Sequence, residues 1–341
     1  MTPNSISLPP LSPPLSAHNL FPVLYSILLV ISIPTNGITL GVSCSQMRKK
    51  NELGVYLFSL SLADLLYTLT LPLWIIYAQN GDNWTLLPSL CTFSVFARYV
   101  NYYTSAGFLT CISIDRYLAV VHPFKLQYMR TRRFALLVSI LVWVLEISSS
   151  YLILLKDEIF IRPINSTNHT ICYDTYPLEE WQANLNLYRV FFGYMIPLAI
   201  IAFCYQKIYH AVEHNQATEK SEKKKIKKLL LSIIITFFFC FTPYHVVLLI
   251  RSIGERQQNC NFAKTMFKPY RITTAITSLN CIADPILYCF VSETGRTDIQ
   301  NMFKCCLLRK QKTLSHTREV AMSSIITKNG TDATLESTTC M

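Results

Sequence analysis

Residues 133–155 read RFALLVSILVWVLEISSSYLILL, and this stretch decides the fold class of the chain. A helix of about 20 apolar residues crosses a hydrocarbon core of about 30 Å, and the run is far too long for a strand. Further stretches of this kind lie on both sides of it. Together the seven spans cover approximately residues 20–45, 55–78, 91–121, 133–155, 186–211, 226–252 and 267–291. The sequence therefore predicts an all-α membrane protein, a bundle of seven transmembrane helices.

The basic residues indicate the orientation of the chain. They cluster at 48–50, 125–133 and 207–228, in the connections that follow spans one, three and five. Basic connections stay in the cytosol, so we expect the N-terminus outside and the C-terminus inside. The formal net charge of +11 follows largely from this arrangement and does not indicate a nucleic-acid partner.

Composition divides the chain into four segments. Residues 1–19 are rich in Pro and Ser and form an extracellular N-terminal segment, which residues 20–291, the seven-transmembrane domain, follow. Residues 292–306 have apolar side chains at helical spacing among basic ones, which predicts a short amphipathic helix on the inner leaflet. Residues 307–341 are polar and rich in Ser and Thr, which predicts a disordered cytoplasmic tail that can be phosphorylated.

Several side chains are candidates for covalent modification. Asn83, Asn165 and Asn168 begin glycosylation sequons in predicted outer connections. Cys305 and Cys306 end the predicted amphipathic helix, where they are either palmitoylation sites or ordinary reduced cysteines.

Two cysteines face the oxidising side in the predicted topology. Cys91 opens span three and Cys172 lies in the long outer connection before span five. A disulfide between them would tether that connection to the helix, and the alternative is two unpaired thiols. Cys260, the other external cysteine, has no evident partner and is expected to be a free thiol.

Four carboxylates interrupt the apolar spans: Asp64, Asp115, Glu146 and Asp284. An ionised carboxylate in a bilayer costs several kcal/mol, and taking up a proton removes that cost. Acids in such places are functional candidates, and together they indicate a membrane protein whose activity is linked to protons.

Short landmarks recur at matching depths of the spans. They are Asn36, Leu62-Ala63-Asp64, Asp115-Arg116-Tyr117, Trp143, Pro197, Tyr205, Phe237, Cys240, Pro243 and Asp284-Pro285-Ile286-Leu287-Tyr288. Together with the two external cysteines, this set resembles the rhodopsin-like (class A) G-protein-coupled receptors over residues 20–306. The resemblance implies an outer ligand pocket and an inner cavity that opens to admit a G-protein helix. It assigns activation and coupling to Asp115, Arg116, Tyr117, Tyr205 and Tyr288.

The chain departs from that family pattern at two positions. Asp284 stands where the family usually has Asn, and Phe241 stands where it usually has Trp in the sixth-span switch. The first change adds a second carboxylate near Asp64. The second removes the usual aromatic toggle.

Longer strings narrow the resemblance. They are Glu52 to Leu62, Thr70-Leu71-Pro72-Leu73-Trp74, Cys172-Tyr173-Asp174, Tyr176-Pro177-Leu178-Glu179, Ser278-Leu279-Asn280-Cys281 and Ala283-Asp284-Pro285. These strings resemble those of the proton-sensing receptors within the family. Asp64, Glu146 and Asp284 match the buried acidic triad of that group. Alternatives remain open, because many relatives bind sodium at the position of Asp64 and Glu146 could be a hydrogen-bonded residue between helices.

Three histidines could sense external pH, because the ordinary pKa of histidine is about 6.5. His18 lies at the outer mouth of span one, His169 in the long outer connection and His245 in span six, two residues after Pro243. The alternatives are a solvated residue for His18 and His169 and a hydrogen-bonded pocket residue for His245.

The resemblance implies a plasma-membrane receptor activated by extracellular protons, which signals through stimulatory G protein to cAMP and binds arrestin through its phosphorylated tail. The sequence contains no zinc-ligand motif, phosphate loop or nucleophile elbow, so we expect no catalytic residue, metal or cofactor, and no enzyme activity.

Two other functions compete with proton sensing. A lysolipid receptor could hold a headgroup phosphate on the basic residues of the last outer connection, Arg251, Lys264, Lys268 and Arg271. A proton-coupled transporter would also need intramembrane acids. It is disfavoured by the odd number of spans, by the absence of an internal repeat and by the Asp115-Arg116-Tyr117 landmark.

Overall fold

The computed structural model describes residues 20–154, 161–164, 169–173, 177–214, 220–255 and 260–286, together with 297, 299–300 and 304. In chain order its elements are α1 (Leu20–Arg48), α2 (Leu53–Thr68), α3 (Leu71–Gln79), α4 (Pro88–Val121), a 3₁₀ turn (Gln127–Arg130), α5 (Arg132–Leu154), β1 (Ile161–Ile164), β2 (His169–Cys172), α6 (Glu180–Tyr188), a π-helical turn (Arg189–Met195), α7 (Ile196–His214), α8 (Lys220–Gly254), α9 (Cys260–Thr277) and α10 (Asn280–Ile286). Spans two, five and seven are each divided into two helices.

Five helical stretches of the described chain are long and apolar enough to cross a membrane: Leu20–Arg48, Leu53–Gln79, Arg132–Tyr151, Glu180–His214 and Ile226–Gly254. The other two predicted spans, spans three and seven, are not among these five stretches. Helix α4 is long, but its buried side chains include Asn101, Thr104 and Ser105. Span seven is interrupted between α9 and α10 at Ser278 and Leu279.

Helix α4 lies at the centre of the bundle, which explains its polar character. It packs against α2, α5 and α7, while α1 lies along α2 and α3. Helix α8 packs against α6 and α9, and α10 packs against α1 and α2. A helix surrounded by other helices faces little lipid, so its polar side chains can be satisfied inside the protein.

A β-hairpin lies in the long connection before span five, where the sequence predicted no strand. Strands β1 and β2 are antiparallel, with Ile161 opposite Cys172. The predicted disulfide joins Cys172 to Cys91 at the start of α4, with 5.8 Å between their Cα atoms. Trp84 N donates to Thr170 O at 2.7 Å, so the connection after α3 also holds the hairpin. We call this the disulfide end of the bundle and the opposite end, where Arg116 lies, the Arg116 end.

Some predicted features lie outside the described residues. They are the segments 1–19 and 307–341, most of the expected amphipathic helix at 292–306, and the residues His18, Asn165, Asn168, Tyr288, Cys305 and Cys306.

Candidate functional site

A pair of buried carboxylates lies in the middle of the bundle. Asp64 is on α2 and Asp284 is on α10, and the two residues are 0% and 1% exposed. Helices α2 and α10 pack against each other, and the two carboxylates are near enough for their charges to act on each other. The structure therefore brings together two members of the predicted triad.

Few hydrogen bonds satisfy this acid pair. Asn101 Nδ2 donates to Asp64 Oδ1 at 2.9 Å, and Asn280 Nδ2 donates to Asn101 Oδ1 at 3.3 Å. Asp64 Oδ2 and both carboxylate oxygens of Asp284 accept no hydrogen bond from a described residue. Because buried polar atoms are normally paired, three unpaired acid oxygens are a departure that points to function.

The interruption of span seven positions the acid pair. Ser278 Oγ lies 2.8 Å from Tyr67 Oη and 3.2 Å from Tyr102 Oη, and the helix ends one residue earlier. Helix α10 then starts anew, and Asn36 Nδ2 donates to its Cys281 O at 2.7 Å. These bonds to α1, α2 and α4 fix the direction in which Asp284 enters the core.

Glu146 lies in a different group of residues. It is half-buried on α5, and the charged group that acts on it is Arg189 of the π-helical turn. Its backbone oxygen accepts a hydrogen bond from Ser149 Oγ at 3.1 Å. The predicted triad is therefore a pair, Asp64 and Asp284, with Glu146 beside a buried cation.

We call the residues around that cation the Arg189 cluster. Its members are Arg189, Tyr99, Tyr103, Glu146, Tyr173, Tyr244 and His245. The Arg189 guanidinium carbon lies 3.8 Å from the centre of the Tyr99 ring and 5.6 Å from that of Tyr103.

Gly193 allows the π-helical turn to approach α4 this closely. A Cβ atom at Gly193 would lie 2.5 Å from Cδ1 of the Tyr103 ring, closer than real Cβ contacts allow. A glycine in the turn therefore sets the distance between span five and the Tyr103 side of the cluster.

His245 is buried in the Arg189 cluster and stacks on Tyr194, with 4.5 Å between ring centres. Its Nδ1 lies 2.8 Å from Phe241 O, and because a carbonyl only accepts, Nδ1 carries a proton and donates. The edges of Tyr103 and Tyr244 contact the same ring at centre distances of 5.9 and 5.1 Å. Its Nε2 forms no hydrogen bond with a described residue. His169 belongs to β2, in the hairpin at the disulfide end.

The Arg116 end contains the residues predicted to couple to a G protein. Asp115 is buried, and its Oδ2 accepts from Arg116 Nε at 2.9 Å. Tyr117 Oη lies 3.0 Å from His122 Nε2. Tyr205 packs beside Tyr117 on the apolar cluster at this end and stacks on Tyr209. Asp115 thus holds the arginine against its own helix.

The sequence over residues 35–288 matches the family described as 7 transmembrane receptor (rhodopsin family). The chain belongs to this family. The receptor is 56% identical over 295 residues to human G-protein coupled receptor 65, a match that covers 85% of this chain and 88% of that one. It is 42% identical over 290 residues to mouse G-protein coupled receptor 68, covering 85% and 78% of the two chains. It is 31% identical over 288 residues to lysophosphatidic acid receptor 6 of Gallus gallus, covering 82% and 92%.

Membership of this family settles the coarse properties of the receptor. It is a multi-pass plasma-membrane protein that couples to G proteins, and α4 and α9–α10 are spans three and seven. Among the described residues, no group of three or more His, Cys, Asp or Glu side chains is placed to hold a metal ion.

Sequence reasoning missed two residues of the receptor core, Asn101 and Arg189. Asn101 begins the polar run Asn101-Tyr102-Tyr103-Thr104-Ser105 inside span three, and such a run in a span is itself a signal. Arg189 is a lone basic residue near the start of span five, where it is as costly in hydrocarbon as an acid.

Two of the basic residues proposed to hold a headgroup, Arg251 and Arg271, have protein partners of their own. Arg251 Nε donates to Glu255 Oε1 at 2.6 Å, and Glu255 Oε2 also accepts from Leu178 N at 2.9 Å. Arg271 donates to Asp82 Oδ1 at 2.6 Å. Two of the four residues proposed to hold a headgroup phosphate are therefore engaged in ion pairs.

Asn83, the first glycosylation candidate, holds the hairpin. Its Oδ1 accepts from Thr170 N at 2.8 Å and from Thr170 Oγ1 at 3.2 Å. Whether or not it carries a glycan, Asn83 links the connection after α3 to β2.

Proposed function

We propose that this receptor is activated by extracellular protons and signals through stimulatory G protein to raise cAMP. The observation that supports this most is the Asp64–Asp284 pair, two interacting carboxylates without exposure, with three oxygens that accept no hydrogen bond from a described residue. The narrower sequence resemblance to the proton-sensing group supports the same function.

The sign of the response follows from linkage between proton binding and conformation. Two ionised carboxylates repel each other, and a bound proton removes that repulsion and lets the spans pack more tightly. If the active packing binds protons more tightly than the inactive one, a fall in pH populates the active state, and a rise in pH releases it.

The free energy needed to switch the receptor between its two states requires more than one proton-binding group. A tenfold preference for one state is worth about 1.4 kcal/mol, whereas moving a population from 1:99 to 99:1 needs about 5.5 kcal/mol. We therefore assign further contributions to Glu146 and His245 in the Arg189 cluster and to the outer histidines His18 and His169.

The proposed orientation places the disulfide end outside and the Arg116 end in the cytosol. The disulfide requires an oxidising compartment, and the basic connections lie on the opposite side. In this orientation the N-terminus is extracellular, and Asp115, Arg116, Tyr117, Tyr205 and Tyr288 face the G protein. We assign arrestin binding to the phosphorylated tail, palmitoylation to Cys305 and Cys306, and glycans to Asn83, Asn165 and Asn168.

Cells that express the receptor are expected to raise cAMP when external pH falls from about 8 to about 6. An Arg116→Ala variant at the same surface level is the control, because it lacks the coupling residue and should stay silent. A flat cAMP reading from the parent receptor over this range, at verified surface expression, would exclude proton activation.

Lysolipid activation is the second candidate, favoured by the relative named lysophosphatidic acid receptor 6. The same cAMP assay separates the two functions when lysophosphatidate is added at constant pH. A response to lipid without a response to pH would reverse our preference. Proton-coupled transport has less support, because the relatives are receptors.

Replacing His245 by phenylalanine is expected to move the midpoint of the cAMP response to lower pH by about 0.3–1 unit. Phenylalanine keeps the ring that stacks on Tyr194 but removes the imidazole to which we assign proton uptake. A His214→Phe variant, changed at an exposed residue of the Arg116 end, is the control and should match the parent. An unchanged curve for His245→Phe would remove this histidine from the mechanism.

A further inference from the structure

The outer end of span six holds a buried ion pair. Arg251 and Glu255 are 2% and 0% exposed, and they lie one turn apart on α8. Arg251 Nε donates to Glu255 Oε1 at 2.6 Å, and Arg251 Nη2 donates to Glu255 Oε2 at 3.2 Å. Withdrawing two charges from water is costly, and a pair within one helix does not by itself join two helices. The contacts that this pair makes outside α8 are therefore the ones that can offset its cost.

The Arg251–Glu255 pair connects span six to the spans on both sides of it in the chain. Glu255 Oε2 accepts from Leu178 N at 2.9 Å, and Leu178 precedes Glu179, which caps α6. The Arg251 guanidinium carbon lies 4.5 Å from the centre of the Tyr270 ring on α9, a cation–π contact. We call Leu178, Arg251, Glu255 and Tyr270 the outer clamp. It joins the outer parts of spans five, six and seven.

The hydrogen bond to Leu178 acts directly on span five. Glu179 and Gln182 form a reciprocal capping box, in which Gln182 Oε1 accepts from Glu179 N at 2.9 Å. This box fixes the residue after Leu178 to the first turn of α6, and α6 packs against α8. The outer end of span five therefore cannot shift unless the Leu178–Glu255 bond breaks or Glu255 moves with it.

The Arg116 end of the same helices is closed in this structure. Ile208 of α7 and Leu230 of α8 belong to one apolar cluster, and Asp115 holds Arg116 against its own helix. Between the two ends, α8 contains Pro243, an interior proline at which a helix bends. The outer clamp is formed while the inner end is closed, so it belongs to the resting arrangement of the receptor.

We propose that Glu255 is a positioning residue of the resting receptor. By holding Leu178 and Arg251, it keeps the outer parts of spans five, six and seven together and opposes the opening of the inner end. This role rests on the proposed function, because the clamp then sets the pH at which the receptor responds. Loss of the clamp makes the open state easier to reach, so less proton binding in the core is needed to populate it.

The clamp acts through contacts and does not require Glu255 to take up a proton. The charged and titratable groups around it are Arg251 from α8, Glu179 before α6, Tyr270 from α9 and, across a small cleft that Arg251 lines, Tyr99 from α4 and Tyr173 after β2. The phenols carry no charge at physiological pH. Arg251 is therefore the cation that faces Glu255, and removing either charge leaves the other one buried.

The test measures cAMP against external pH at matched surface expression, together with the melting temperature of the purified full-length receptor. Glu255→Gln removes the charge of the clamp and keeps the size of the side chain. We expect its midpoint to lie about 0.3–1 pH unit higher than that of the parent, with an unchanged steepness. The steepness stays the same because the variant changes the balance between two states without removing a proton-binding group. Glu180→Gln, changed at an exposed acid of the same end, is the control and should match the parent.

Two further variants separate the clamp from general stability. Glu255→Gln leaves Arg251 buried without its partner, which can lower the melting temperature or prevent folding. The Arg251→Met/Glu255→Leu double variant removes both charges and fills the same space, so it should melt close to the parent. The clamp is still absent from it, so its midpoint should still lie at higher pH. Glu255→Asp keeps the charge but shortens the reach to Leu178, and it should shift the midpoint in the same direction by less.

A higher midpoint in the folded clamp variants, with parent-like melting of the double variant, would support this role of Glu255. An unchanged or lower midpoint would overturn it. A flatter curve would overturn it as well, because Glu255 would then itself be one of the groups that bind protons. Basal cAMP at a fixed neutral pH gives a readout that does not depend on proton activation, and it should rise in the clamp variants. If it does not rise, the clamp is excluded even where the parent fails to respond to acid.

Discussion

An Asp284→Asn receptor is expected to respond at a pH about one unit higher than the parent, or to show raised cAMP at neutral pH. Asparagine imitates the protonated acid in shape and charge. One of the two charges that acidification would neutralise is therefore already absent in the variant. It also restores the residue usual in the wider family, so the fold should survive. One pH unit corresponds to about 1.4 kcal/mol of preference for the active state, a large part of what activation requires.

The structure adds a test of coupling to this prediction. The charges of Asp64 and Asp284 act on each other, whereas the charged group that acts on Glu146 is Arg189. The shifts of Asp64→Asn and Asp284→Asn should therefore fall short of adding in the double variant, because coupled acids share their titration. Glu146→Gln should also shift the response to higher pH, and its effect should add to that of Asp284→Asn.

The measurement is cAMP against external pH for the single and double variants, normalised to surface expression. Glu213→Gln, changed at an exposed acid of the Arg116 end, is the control. If Asp284→Asn, Glu146→Gln and their combination all respond like the parent, proton sensing does not reside in the core. It would then belong to the outer histidines His18 and His169.

The second large effect is expected from Cys91→Ser, which should lose most of its surface receptor and its pH response. The disulfide closes a sequence separation of 81 residues and holds the hairpin at the end of α4. Losing such a bond typically costs about 2–5 kcal/mol, and a loss of this size reduces abundance several-fold in cells.

Three matched variants isolate the bond from the side chain. Cys172→Ser and the Cys91→Ser/Cys172→Ser double variant should behave like Cys91→Ser, because all three remove the same bond. Cys44→Ser, changed at a free cysteine of α1, should express like the parent. Normal surface staining and an unchanged melting temperature for Cys91→Ser would show that the hairpin does not depend on the disulfide.

The length of the hydrophobic runs was enough to predict the membrane-spanning helices. The side of the membrane on which Cys91 and Cys172 lie was enough to predict the disulfide. Apolar runs locate α1, α5 and α8 directly, because lipid-facing helices must be apolar. The division of span seven was not predictable in this way. It depends on Ser278 contacting Tyr67 and Tyr102, two residues far away in sequence that only the fold brings together.

The acids illustrate the same limit within the site. Their place in the spans predicted that Asp64, Glu146 and Asp284 lie inside the bundle at related depths. The depth of a residue in the membrane does not determine which way its side chain points around the helix axis. That direction places Glu146 beside Arg189 rather than beside the Asp64–Asp284 pair. The π-helical turn that orients Arg189 leaves no periodic signature in the sequence, since it is a single widened turn.

That widened turn also restricts how span five can change over evolution or in the laboratory. Each residue advances an α-helix by about 100°, so deleting one residue from Arg189–Met195 would rotate all of Glu180–Tyr188 against the rest of the span. Asn186 and the buried Gln182 would leave the small cleft that they line together with Tyr99 and Tyr270, and the Glu179–Gln182 cap would move with them. Deletion of a residue from this turn is therefore expected to disturb more contacts than most single substitutions in span five. When a mutation is transferred from a receptor with a regular fifth helix, positions before Met195 must therefore be shifted by one residue in the alignment.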